Sequence, residues 1–210
     1  MNITNADYFT FNVHNSALLV GHTGTGKSEF VRRYIRRLER AFSPNQMQYV
    51  IYDLKQCEFS PQFVDGSIND EGAKLEYLYT DVRIGTPEDM DYLEELALLA
   101  TSRAKEDTSV PLIFIYIEEC DLAAQYSDRF HSAVTTINKN ALAANMKLIF
   151  STSRPSVDIV PPDFIASFDL VLSGTLATEV DEKTLGVPGA TKLELHQFIV
   201  KEQHSIKAAS

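Results

Sequence analysis

"SALLVGHTGTGKSEF", residues 16–30, decides the fold. Its first five residues form an apolar run of strand length, and Gly21 to Ser28 read G-x-x-x-x-G-K-S. Glycines at 21, 24 and 26 let the backbone turn tightly, so that successive N–H groups point inward at phosphate oxygens. A helix opening at Lys27 adds the positive end of its dipole. The pattern assigns nucleotide binding to Gly21, His22, Thr23, Gly24, Thr25, Gly26, Lys27, Ser28 and Glu29. Lys27 would reach the β- and γ-phosphates as a catalytic cation, and the Ser28 hydroxyl would ligate Mg²⁺ beside ATP. His22 occupies a variable position of the pattern, where a role in binding is not required.

Outward from this stretch, strands and helices alternate. The expected helix from Lys27 to Ala41 is stopped by "SPN", and "QYVIYD" (48–53) reads as the second strand. Residues 54–74 are polar and punctuated by Gly and Pro. Thr86-Pro87 with Asp89 forms a capping-box-like start for a helix over about 87–105. "PLIFIYI" (111–117) runs apolar without alternation, as a strand buried on both faces does. A helix from Ser127 to about Ala144 precedes the strands "KLIFSTS" (147–153) and "DLVLSG" (169–174), and "LELHQFIV" (193–200) is expected at the sheet edge. Alternation of this kind implies an α/β fold with a mostly parallel sheet and ligands at the carboxyl ends of its strands. With no repeat or linker, residues 1–210 read as a single domain.

Composition is that of an ordinary globular chain: 44% hydrophobic, 23% charged, no Trp. No apolar run approaches the roughly 20 residues of a membrane span, and "MNITNADYFTFNVHNS" lacks the features of a signal peptide, so a cytoplasmic location is expected. Cys57 and Cys120 match no zinc spacing. The net charge of −10 excludes a freestanding coat for nucleic acid. The dense basic run is "VRRYIRRLER" (31–40), with Arg32, Arg36 and Arg40 on one helical face, Arg33 and Arg37 on another, and Val31, Tyr34, Ile35 and Leu38 opposite. A solvated face is the default reading of those arginines; a subunit interface or a DNA contact is the alternative. His131 reads as a partly exposed surface residue of its helix rather than a catalyst.

A second chemical signal is "LIFIYIEECDLA" (112–123), an apolar strand ending in acids. Glu118 would hold Mg²⁺, through a coordinated water, and Glu119 would be the general base for the attacking water. Most phosphate-loop enzymes place an aspartate where Glu118 stands.

With these residues in place, the chain resembles the motor domain of the FtsK/SpoIIIE family of DNA-translocating ATPases, in the wider HerA-like group. "LLVGHTGTGKSEFVR" is similar to the family's phosphate loop and following helix. "VIYDLKQCEF" resembles its Asp-Pro-Lys strand end and nearby Glu, mapping to Asp53, Lys55 and Glu58 with Leu54 for proline. "LIFIYIEECDLA" resembles the strand ending Asp-Glu, and "ANMKLIFSTSRPSVDIV" its Ala-Thr-Gln-Arg-Pro turn and the Ser-Val-Asp-Val-Ile after it. The resemblance implies a P-loop NTPase of RecA/HerA-like architecture, a mostly parallel sheet with helices on both faces. It further implies a hexameric ring, double-stranded DNA as partner, and Ser153 and Arg154 at the γ-phosphate sensor. There are departures: Ser153 stands where the family has glutamine, and Phe168 where many members have an arginine. Arg129, Arg154 and Arg83 are candidates to replace that arginine.

Three readings stay open at this point. The chain is an ATPase that moves DNA, an ATPase of a conjugation or type VII-like secretion machine, or a slow or inactive nucleotide-binding regulatory subunit.

Overall fold

The computed structural model describes residues 2–4, 14–55, 59, 63–64, 67–68, 74–106, 110–118 and 121–203. The strands are β1 (Asn2–Thr4), β2 (Ser16–Val20), β3 (Met47–Asp53), β4 (Phe63–Val64), β5 (Ser67–Ile68), β6 (Leu112–Glu118), β7 (Met146–Thr152), β8 (Leu170–Ser173) and β9 (Phe198–Glu202). The α-helices are α1 (Lys27–Ala41), α2 (Pro87–Arg103), α3 (Asp121–Gln125), α4 (Ser127–Asn140), α5 (Pro162–Ile165) and α6 (Glu179–Leu185). Seven strands form the main sheet in the order β1-β9-β8-β2-β7-β6-β3, while β4 and β5 pair as a separate hairpin. The five strands from β8 to β3 are mutually parallel, with β9 antiparallel to β8 and β1 antiparallel to β9.

Helices cover both faces, and strand alternation decides which residue meets which. Leu18, Val50, Ile115, Ile117, Leu148 and Phe150 face α2, α4 and α5. Ala17, Leu19, Tyr49, Ile51, Phe114, Tyr116 and Ile149 face α1, which contributes Phe30, Val31, Tyr34, Ile35 and Leu38. The apolar stripe read from α1 is therefore its buried face. Beyond Ala41, Phe42 is extended, its N–H bonding Leu38 O at 2.9 Å, and Pro44 follows shortly after.

Helix α2 begins at Pro87, as the capping pattern predicts. Asp89 does more than close a cap: its Oδ2 accepts from the backbone N–H groups of Ile84, Gly85 and Thr86 at 3.0, 2.8 and 2.9 Å. The segment leading into this helix also bridges β3 at Tyr49–Leu78 and Tyr52–Arg83.

The expected edge strand over 193–200 differs from the structure. Residues 194–197 form a turn, closed by Gln197 N–H to Glu194 O at 3.1 Å, and the strand starts at Phe198. It lies inside the sheet because β1 flanks it, a pairing that a three-residue strand does not announce in sequence. Among the described residues, no helix is long and apolar enough to cross a membrane.

Candidate nucleotide and metal site

The phosphate loop leaves the carboxyl end of β2, a central strand, and enters α1. Gly24 and Gly26 have φ of 85° and 96°, which a side chain adopts only with strain, so glycine is required there. Thr25 is 2% exposed and fills the space under the loop: a Cβ on Gly21 would sit 2.7 Å from its Oγ1, and one on Gly174 3.2 Å from its Cβ. The loop is also tied to the segment after β8, since His22 N–H donates to Thr175 O at 2.9 Å.

Lys27 is buried, and its Nζ donates to Gly21 O at 2.6 Å and His22 O at 3.2 Å, which holds the ammonium within the loop. Ser28 Oγ donates to Glu118 Oε1 at 3.2 Å. The period of two explains that meeting: Tyr116 faces α1, so Glu118 does too. Asp53 is the register partner of Glu118 on β3, and its Oδ2 accepts the Phe59 N–H at 2.8 Å. Both acids are buried.

A cleft of about 230 Å³ is lined by Thr23, Gly24, Gly26, Lys27, Ser28, Glu29, Arg32, Lys55 and Glu118. Six of the nine residues assigned to nucleotide binding thus border one space. Of the other three, Gly21 and Thr25 build the loop from beneath, and His22 is exposed, its Nδ1 within 2.7 Å of Thr23 O. An Mg²⁺ ion would suit the oxygens here, with the Ser28 hydroxyl as a direct ligand and Glu118, 3.2 Å from that hydroxyl, placed to accept from a water of the ion's shell. Glu119, assigned as general base, lies outside the described residues, as do Cys57, Glu58 and Cys120.

Two cations in the cleft were not assigned there from sequence. Arg32, whose default reading is a solvated face, stands one helical turn beyond Ser28 and shares its face, a spacing consistent with either place. Its Nε lies 3.4 Å from Glu29 Oε2, and Arg33 Nε bonds Glu29 Oε1 at 2.8 Å; these contacts hold the Glu29 carboxyl below its usual range. Lys55 follows β3 at the corresponding strand end.

Ser153 and Arg154 follow β7, whose Thr152 pairs with Val20 and whose Ser151 pairs with Glu118. That puts them at the strand end between the phosphate loop and the acid. Arg154 is exposed, and its N–H donates to Thr152 Oγ1 at 3.0 Å. Phe168 is 1% exposed and packs edge-on against Phe164 at 5.2 Å, so this position belongs to the core. Arg129 is held by Asp91 at 2.6 Å and by Glu94 at 2.6 and 2.9 Å. Arg83 bonds Thr80 at 2.9 Å and lies 3.9 Å over the Tyr92 ring. His131 is half-buried, in keeping with a partly exposed place on its helix, with Nε2 2.9 Å from Ile159 O.

No family model matches the chain. The DNA translocase FtsK of Tropheryma whipplei is 27% identical over 195 residues, covering 84% of this chain and 26% of the relative. FtsK of Streptococcus pyogenes serotype M3 is 25% identical over 194 residues, covering 84% and 24%. This chain spans about a quarter of the length of these curated relatives. Among solved structures, the conjugation coupling protein TcpA of pCW3, solved with ATPγS, superposes with a TM-score of 0.70 at 16% identity, over 91% of this chain and 58% of that one. The genome packaging NTPase B204 of Sulfolobus turreted icosahedral virus 2, in complex with AMPPCP, superposes with a TM-score of 0.59 at 20% identity, over 92% and 95%. The cytoplasmic domain of the type VII secretion ATPase EccC of Thermomonospora curvata gives 0.66 at 16%, over 90% and 24%. At these identities the structures speak for the fold, and the sequence match names the likeness within it. The chain carries a phosphate loop on the fold of these ATPase structures and is similar in sequence, at 25–27% identity, to FtsK DNA translocases.

Proposed function

We propose that the chain binds ATP with Mg²⁺ in the loop from Gly21 to Ser28 and hydrolyses it to move double-stranded DNA, working in the cytoplasm as one subunit of a hexameric ring. The observation that carries this reading is the 3.2 Å contact between Ser28 and Glu118, a hydroxyl and a carboxylate suited to a metal's shell, set beside a buried loop lysine. The FtsK likeness supports DNA as the substrate.

In this reading the loop N–H groups and Lys27 hold the phosphates, with Arg32 and Lys55 adding positive charge in the same cleft. Ser28 and Glu118 hold the metal, which when bound neutralises charge on the phosphates. Glu119 takes the proton of the attacking water, and Ser153 and Arg154 sense the terminal phosphate.

A slow or regulatory subunit is the second reading, favoured by Phe168. Its burial removes that position as a source of an arginine for a neighbouring subunit, and Arg129 and Arg83 are engaged elsewhere on their own chain. Arg154 is then the candidate for that role. The likeness in fold to TcpA and EccC keeps conjugation or secretion as the alternative setting for an active motor.

The test is steady-state phosphate release from Mg·ATP, with and without double-stranded DNA, beside Glu119→Gln. Release that DNA stimulates and the variant abolishes supports the motor. ATP binding with release no faster than the variant's assigns the chain to the regulatory reading.

A further inference from the structure

The cleft and its surroundings have two flanks along the strand ends. On the β6 and β3 side stand Glu118, Ser28 and Lys55, the groups suited to metal and terminal phosphate. On the β8 and β9 side stands His196, in the turn just before β9. Because β9 runs antiparallel to β8, this turn lies at the same edge of the sheet as the phosphate loop.

His196 has two unusual features. Its φ is 63°, in the left-handed region that strains a residue bearing a side chain. Its ring also rests directly on the phosphate loop: a Cβ built on Gly26 would collide with the imidazole, at Nδ1 first and at Cε1 at 3.0 Å. Gly26 is both the N-cap of α1 and a wall of the cleft. The turn is anchored from two sides. Thr175, which accepts the His22 N–H on its carbonyl, donates its Oγ1 to Leu193 O at 3.0 Å, and the ring of Phe198 packs on Phe30 of α1 at 5.6 Å. Leu195, the other central residue of the turn, is 61% exposed. A strained, exposed imidazole held against the loop by this scaffold is more than the turn itself needs, since asparagine or glycine would satisfy φ at lower cost.

We propose that His196 is a nucleoside-contacting residue, its ring and Leu195 forming the platform on which the base of the bound nucleotide rests. This deepens the proposed function and rests on it. A triphosphate whose terminal end lies by Ser28 and Glu118 runs back across Gly26, so its nucleoside emerges on the flank where His196 stands. An aromatic face takes a base by stacking, without reading its hydrogen-bond edges, so the ligand class is a nucleoside triphosphate with discrimination among bases left to other groups.

Calorimetric titration of the full chain with Mg·AMPPNP and, separately, with Mg·tripolyphosphate tests this. His196→Asn and His196→Gly both keep the positive φ while removing the ring, so each controls for the other's folding. The expected result is a nucleotide Kd weakened roughly fivefold or more in both variants, with tripolyphosphate binding unchanged. A parallel loss for both ligands would make His196 a support for the loop and overturn the proposal. So would unchanged affinity for both. A wild-type chain that binds neither ligand would remove the nucleotide reading itself, and this inference with it.

Discussion

Ser28 Oγ and Glu118 Oε1 stand 3.2 Å apart, joining the first turn of α1 to the carboxyl end of a strand 90 residues away. Glu118 has no freedom to approach further by sliding, because it pairs with Asp53 on one side and Ser151 on the other. Glu118→Asp withdraws the carboxylate by about 1.5 Å. The Mg²⁺ concentration needed for half-maximal ATP binding should rise several-fold, with thermal stability little changed; metal titrations at fixed nucleotide measure it.

Lys27→Met removes the loop's buried ammonium and its bonds to Gly21 O and His22 O. Loss of a charge-assisted contact to phosphate should weaken ATP binding on the order of a hundredfold. Folding should survive, since the methionine occupies a similar volume. Equilibrium binding and circular dichroism separate the two effects.

Reinstating an arginine at position 168 should fail. The Phe168 ring is packed against Phe164, and Phe168→Ala is expected to cost about 3–4 kcal/mol of stability. Phe168→Arg adds a buried charge to that loss and should leave the chain largely unfolded instead of faster. Urea denaturation of both variants is the measurement.

Asp89 collects three backbone N–H groups on one oxygen while Arg83 approaches the other at 3.4 Å. Asp89→Ala strands all three donors at the entry to α2, and a loss of about 2–3 kcal/mol is expected. Asp89→Asn keeps an acceptor and should recover part of it. Denaturation midpoints for the pair of variants decide.

Lys147 is buried at the opposite end of β7, donating to His14 O at 2.6 Å and Asn15 Oδ1 at 3.2 Å. Burial pulls its pKa down to about 8, against partial opposition from Asp169. The unfolded chain therefore holds this proton up to about pH 10.4 while the folded one releases it from about pH 8. The sign follows: between those values the unfolded state binds more protons, so this group makes stability rise with pH. Relative to Lys147→Met, wild type should gain about 1.5 kcal/mol between pH 8 and 9.5, read from denaturation at each pH.

The central strands and α1 were legible because their signals are local: an apolar run, a glycine pattern, a stripe at helical spacing. Glu118 was legible for the same reason, as an acid ending an apolar strand. Arg32 was not, because the same spacing that places it on the face of Ser28 also fits a solvated ridge, and only the cleft distinguishes them. Family correspondence marks Phe168 as a departure from arginine, and its packing in the core is a long-range fact that the local sequence does not carry. His196 and β1 depend on long-range neighbours: the turn matters because it meets Gly26, and β1 exists by pairing with β9.

Strand β2, which launches the phosphate loop, bonds on both sides to strands drawn from the last third of the chain: β7 beyond residue 145 and β8 beyond residue 169. During synthesis the loop therefore leaves the ribosome before either of the strands that flank β2. Any nascent fragment ending before β7 carries the motif without the two strands that flank it in the finished sheet.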